Sequence, residues 1–245
     1  MTSSTANPAA LLVVAKSPEP GRAKTRLSPP ATPYRAAAIA AASLLDTLRA
    51  VHAAAGAQAV VAWTGASERA VRRAEITAAL AATRVVEQRG EHFAERLATA
   101  HADVAELLPR HPVLQIGMDT PQVTGELLTE STEPLHCAQG PDAVLGLAAD
   151  GGWWALGLRD PRWAGVLHEV PISRPDTGEL TLRALRSSGL RVRLLPELSD
   201  VDTMSAAHSV AARIPGSEFA AAVRAEPIEW GEASGADHRT VMVPP

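Results

Sequence analysis

Leu11-Leu12-Val13-Val14-Ala15 is an uninterrupted apolar run that stops at a cationic segment rich in Pro and Gly, and no other feature constrains the fold so strongly. A run that is apolar on both alternating faces suits a strand covered on both sides, as in a parallel sheet sandwiched by helices. Further strand-length segments follow at Ala57–Trp63, Arg84–Glu87, Val113–Gly117, Ala143–Ala148, Trp153–Leu158 and Val192–Leu195. Between them lie helical stretches. Pro33 to Ala55 carries Leu44, Leu45, Leu48 and Val51 at helical spacing and closes near Gly56. Ser67–Ala82, Ala94–Leu108, Thr124–Leu128, Gly178–Ser188 and Ser205–Ala212 read as further helices.

Strands alternating with helices predict an α/β domain with a mostly parallel central sheet flanked by helices and joined by right-handed crossovers. Ligands of such sheets sit outside the carboxyl ends of the strands, so the loops that follow strands are the ones to inspect. No period repeats and no Ser/Gly linker divides the chain, which predicts one domain over residues 11–226. Residues 1–10 are expected to be flexible, and the polar, Gly/Pro-punctuated residues 227–245 to form a poorly ordered tail. A net charge of −4 and a pI near 6.1 argue against a nucleic-acid binder. The single Cys137 excludes an internal disulfide, and the N-terminus has neither a basic n-region nor a long apolar stretch, so cytoplasmic residence without a transmembrane segment is expected.

The loop after the first strand holds Lys16, Arg22, Lys24 and Arg26 against Glu19 alone, a local +3 on an acidic chain. Phosphate is the natural counter-charge, with Gly21 allowing close backbone approach; the plainer reading is a solvated basic loop. Asp119, directly past the fourth strand, is placed to hold Mg2+ or Mn2+, or else to cap a helix or form an Asx turn. Asp150-Gly151-Gly152 before Trp153 and Trp154 reads as a hairpin turn or as a ligand-facing corner, and the tryptophans as core. Asp200 and Asp202, alternating in an extended segment, face the same way, with a helix cap as the simpler use. Arg89–Leu97 reads as the start of a helix whose Glu95 and Arg96 reach the cleft, or as no more than a charged cap. Isolated histidines such as His52 and His101 read as surface or satisfied structural residues, and the chain lacks zinc spacing, a Walker A loop and a nucleophile elbow.

Four of these segments, in order, resemble the DUF2064 type of bacterial GT-A-like protein, related to molybdenum-cofactor and phospholactate nucleotidylyltransferases. They are Ala15 to Leu27, Gly117-Met118-Asp119-Thr120-Pro121, Asp150-Gly151-Gly152-Trp153 and Asp200-Val201-Asp202-Thr203. This chain has Met118 and Thr120 where relatives commonly have Ser, Trp153 for Tyr, Thr203-Met204-Ser205-Ala206 after the last motif, and Ser173–Gly178 in place of a Trp-Ser-Thr. The resemblance implies a single-domain GT-A, or nucleotide-diphospho-sugar transferase, fold. Lys16, Gly21, Arg22, Lys24, Thr25 and Arg26 would bind the nucleotide phosphates. Asp119 and Asp202 would hold Mg2+ or Mn2+, Asp119 and Asp150 would be catalytic, and Gly151, Gly152 and Trp153 would face the substrate. The implied activity is nucleotide-sugar-dependent glycosyl transfer. The alternatives are nucleotidyl transfer from a nucleoside triphosphate to a small phosphorylated acceptor with release of pyrophosphate, and a non-catalytic nucleotide-binding regulator.

Overall fold

The computed structural model describes residues 7–225, so the tail expected at 227–245 and the first six residues lie outside the described region. Seven strands form one sheet: β1 (Ala10–Lys16), β2 (Gln58–Thr64), β3 (Arg84–Glu87), β4 (Val113–Gly117), β5 (Ala143–Ala148), β6 (Trp153–Leu158) and β7 (Val192–Leu198). Their order is β3-β2-β1-β4-β6-β5-β7. All pairings are parallel except those of β6, which runs antiparallel to both β4 and β5. The sheet is therefore mostly parallel, with one strand inserted in reverse.

The alternation of β1 explains why it sits near the centre. Leu11, Val13 and Ala15 enter one buried cluster and Leu12 and Val14 another, so each face of the sheet is sealed by a different helix layer. On the first face lie α1 (Pro33–Ala53), α2 (Arg73–Ala81) and α4 (Gly125–His136), contributing Leu44, Leu48, Ile76 and Leu128. On the second lie α3 (Phe93–Leu107), the 3-10 segment Pro161–Glu169 and α5 (Thr177–Ser187), contributing Leu97, Val104, Leu167 and Leu185. Helix α1 is long and apolar enough to cross a membrane by length and composition, but 72% of that stretch is buried in the protein.

A third cluster joins α1 to α6 (Met204–Arg213) and α7 (Glu218–Arg224) through Ile39, Met204, Val210 and Phe219. It also takes in Leu27, from the cationic loop, and Val201, from between the two last-motif aspartates. That cluster is the floor on which both halves of the candidate site rest.

Several expectations change; the helix read at Thr124–Leu128 runs on to His136 as α4. The helix expected at Ser67–Ala82 is a 3-10 turn, Ser67–Arg69, and a separate α2, because Arg72 turns left-handed at φ 59 and breaks the run. Pro161–Glu169 and α7, by contrast, carry no clear helical signal in the sequence; their apolar residues are too few to show a long period, and each depends on packing and on a cap from Asp160 or Ser217.

Candidate functional site

The cationic loop is folded by local hydrogen bonds before any ligand is considered. Beyond β1, Ser17 Oγ donates to the Ala66 carbonyl at 2.8 Å, and the buried Glu19 accepts from the Ala66 amide at 3.2 Å. Arg22 and Ala23 then donate to the Glu19 carbonyl, closing a turn in which Gly21 takes φ 74. Lys24 follows in the left-handed region, at φ 47, and leads into the 3-10 turn Thr25–Leu27, whose Leu27 is fully buried. The chain is thus pinned on both sides of Lys24.

Across from it, β4 ends at Gly117, and Asp119 Oδ1 sits 2.4 Å from where a Cβ on Gly117 would be. Glycine there makes room for the carboxylate. Met118 is buried, with its carbonyl accepting from Ser43 Oγ at 2.8 Å, which fixes the turn from below. The Val201 amide donates to the Asp119 carbonyl at 3.2 Å and ties the last motif to this loop. Helix α4 is capped by Thr124 and α6 by Thr203, so neither Asp119 nor Asp202 serves as a cap. Their carboxylates are left for other partners.

Those partners come from the cationic loop. Lys24 Nζ donates to Asp119 Oδ2 at 2.8 Å and to Asp202 Oδ1 at 2.7 Å, and Arg26 Nη1 to Asp202 Oδ2 at 2.9 Å. Asp150 stands in the β5–β6 turn, its Oδ1 accepting from the Gly152 amide at 2.8 Å. It therefore sits in the hairpin turn between the antiparallel β5 and β6, and it also joins Asp200 and Asp202 in a group whose ligand oxygens lie within 4.8 Å of one another. The Ala149 amide, which donates to the Leu198 carbonyl at 2.9 Å, holds this turn against the end of β7.

Crowding of carboxylates sets their charge states. Burial, then the neighbouring Asp150, Asp202 and Asp119, push Asp200 up to about 6. Burial also works against ionisation at Asp202, yet Lys24 and Arg26 outweigh it and hold the carboxyl below the usual range. For Lys24, burial is likewise outweighed by Asp119 and Asp202, which keep the ammonium charged.

Of the residues singled out from sequence, Lys24, Arg26, Asp119, Asp150 and Asp202 thus come together. Lys16 and Arg22 are exposed and form no salt bridge among the described residues, and Thr25 is exposed at the start of its turn. Gly151, at φ 89, is packed under the loop before α5, where a Cβ would lie 1.7 Å from the Pro175 carbonyl, and a Cβ on Gly152 would face the Asp150 carboxylate at 3.1 Å. Trp153 is half-buried against the second cluster, and Trp154 is buried, donating to the Pro196 carbonyl at 2.9 Å. Glu95 and Arg96 brace their own loop, the first accepting from the Glu91 amide and the second donating to the Gly90 carbonyl. Alternation in an extended segment puts Asp200 on the side of Asp202, but the proximity of Asp150, from a different turn, carries no signal in the linear sequence.

The model of the DUF2064 family, described as "Uncharacterized protein conserved in bacteria", matches residues 47–174, just over half of the chain. No curated protein matches the sequence. Among solved structures, a provisionally assigned nucleotide-diphospho-sugar transferase from Desulfovibrio desulfuricans G20 superposes with a TM-score of 0.77 at 25% identity, over 88% of this chain and 94% of its own. A cytidylyltransferase from Leptospira borgpetersenii serovar Hardjo-bovis gives a TM-score of 0.54 at 10% identity, over 89% and 92% of the two chains. CMP:2-keto-3-deoxy-manno-octonic acid synthetase complexed with CTP gives 0.52 at 13%, over 85% and 98%. These last two share the fold with this chain.

Proposed function

We propose that this chain, which belongs to the DUF2064 family, is a metal-dependent transferase that moves a glycosyl group from a nucleoside diphosphate sugar to a small acceptor in the cytoplasm. The similarity to a provisionally assigned nucleotide-diphospho-sugar transferase supports the coarse class, a nucleotide-using transferase. The observation that carries the reading is the contact of Lys24 with Asp119 and Asp202, at 2.8 and 2.7 Å, which sets cationic side chains against carboxylates beyond the carboxyl ends of β1 and β4. An anionic diphosphate and a divalent ion are the pair of ligands that such a mixed site satisfies.

The donor set fits the ion. Carboxylate oxygens from Asp119, Asp202, Asp150 and Asp200 are hard ligands of the kind Mg2+ and Mn2+ take. Asp119 and Asp202 would hold it; when bound, such an ion neutralises charge on the departing diphosphate. Lys24 and Arg26 add fixed positive charge for the same phosphates, and Lys16 and Arg22, exposed on the loop with Gly21 and Thr25, extend that surface. In the transfer, the acceptor oxygen bonds to the anomeric carbon as the bond from that carbon to the phosphate oxygen breaks. Asp150, exposed at the turn, receives the acceptor's proton, and Gly151, Gly152 and Trp153 form the adjoining wall.

The loop's charge also favours a second reading, nucleotidyl transfer, since a triphosphate offers more negative charge for a +3 segment to neutralise. Purified protein with Mg2+ or Mn2+ is incubated with sugar nucleotides and acceptors, and separately with nucleoside triphosphates and phosphorylated acceptors. Release of a nucleoside diphosphate supports glycosyl transfer; release of pyrophosphate replaces it with nucleotidyl transfer. Nucleotide binding without turnover in either panel leaves only the regulator. In the productive panel Asp119→Ala is expected to reduce turnover by about 100-fold or more, with an unchanged circular dichroism spectrum. Undiminished turnover removes Asp119 from the mechanism.

A further inference from the structure

Lys24 is held in place more firmly than a residue waiting for a phosphate needs to be. Its backbone sits in the left-handed region, at φ 47 and ψ 44, which residues with a side chain adopt rarely. The buried neighbours Ala23 and Leu27 leave that backbone little freedom, and the Lys24 side chain is only 14% exposed. The ammonium is delivered between two carboxylates from separate loops, Asp119 Oδ2 and Asp202 Oδ1. These are the same two groups that the proposed function assigns to the divalent ion. One cation already bridges them.

From this arrangement, and resting on the metal-and-nucleotide reading above, we infer that Lys24 is a tethered cation that closes the metal site of the nucleotide-free protein, and that a phosphate-bearing ligand opens the site by drawing the ammonium away. A dication and an ammonium sharing the same oxygens repel each other strongly in a partly buried site. The ion therefore enters fully only when the ammonium has another anion to pair with, and the nucleotide phosphates supply one. Metal and nucleotide then bind with positive coupling, each raising the affinity for the other by the same factor. The tether has a second effect: it compensates Asp119, Asp202 and their neighbours Asp150 and Asp200 while no ion is bound.

The test uses Mn2+ alone, titrated into the full-length protein without nucleotide and followed by the electron paramagnetic resonance signal of the free ion. Lys24→Met is expected to bind Mn2+ more tightly than the wild type, by on the order of tenfold, and Asp119→Asn in the Lys24→Met background to remove the gain. Melting should show the same pattern, with Mn2+ raising the Tm of Lys24→Met by more than that of the wild type. Equal Mn2+ affinity in wild type and Lys24→Met overturns the tethered cation while leaving the metal reading in place. Absence of Mn2+ binding from both proteins, each with a native circular dichroism spectrum, overturns the two together. If Lys24→Met does not fold, Lys24→Gln makes the same comparison.

Discussion

At Gly151 a single methyl group has nowhere to go. The residue takes φ 89, and an added Cβ would fall 1.7 Å from the Pro175 carbonyl, while the Gly151 carbonyl itself accepts from the Gly178 amide at 2.8 Å. The turn that presents Asp150 is therefore clamped to the start of α5. Gly151→Ala is expected to lower stability by about 1–3 kcal/mol from backbone strain alone, and further from the clash. Urea unfolding measures it, and a loss under about 0.5 kcal/mol, the scale of a neutral surface substitution, would mean the turn relaxes freely. The Asp-Gly-Gly pattern was legible as a turn because glycine marks special backbone; that Asp150 would meet Asp200 and Asp202 was not, since no local rule links turns separated by two strands, a 3-10 segment and a helix. The sequence likewise shows the four loop cations but not that two are already paired, which depends on Lys24 turning left-handed where glycine would be the usual choice.

Among the elements, α7 has the least sequence signal and an unexpectedly central position. It is seven residues long, too short to be stable alone, yet Phe219 is fully buried and its amide donates to Asp46 Oδ2 of α1 at 2.8 Å. Glu218 is paired with both Arg49 and Arg72, so α7 is fastened to α1 and to the start of α2. The strands were readable because buried runs bounded by turn residues stand out, and their boundaries moved by only a residue or so except at β7, which extends to Leu198. The antiparallel insertion of β6 follows from the tight Asp150 turn. Phe219→Ala is expected to cost about 3–5 kcal/mol, because a large buried side chain leaves a cavity. Leu27 and Val201 share that cluster, so hydrogen exchange should quicken not only in α7 but also at residues 24–28 and 201–204. Faster exchange confined to α7 would show that the site does not rest on this cluster.

Stability of the whole molecule against acid turns on a residue remote from the site. His101 of α3 is fully buried, Nε2 paired with Gln115 Oε1 of β4 at 3.0 Å and Nδ1 without a partner among the described residues, so the helix meets the sheet through a neutral imidazole. Burial, outweighing the opposing Gln115 contact, pushes its pKa down to about 4 from 6.5. The sign follows from where the proton binds. Well above pH 6.5 both folded and unfolded histidine are neutral and the full stability is present; as pH falls through 6.5 towards 4 the unfolded chain takes up the proton and the folded one does not, so stability falls as pH is lowered. The loss amounts to about 2 kcal/mol at pH 5 and about 3 kcal/mol by pH 4. Asp200, raised to about 6, has the opposite slope over part of this window and partly conceals the effect in the wild type. His101→Leu separates the two. Its lost hydrogen bond to Gln115 is a cost of about 1–3 kcal/mol that does not depend on pH, so subtracting the variant's urea-unfolding profile from that of the wild type leaves the histidine's share. The difference should be constant above pH 7 and slope by about one proton between pH 6 and 5. A flat difference across that range would mean that the unpaired Nδ1 is reached by water and protonates in the folded protein.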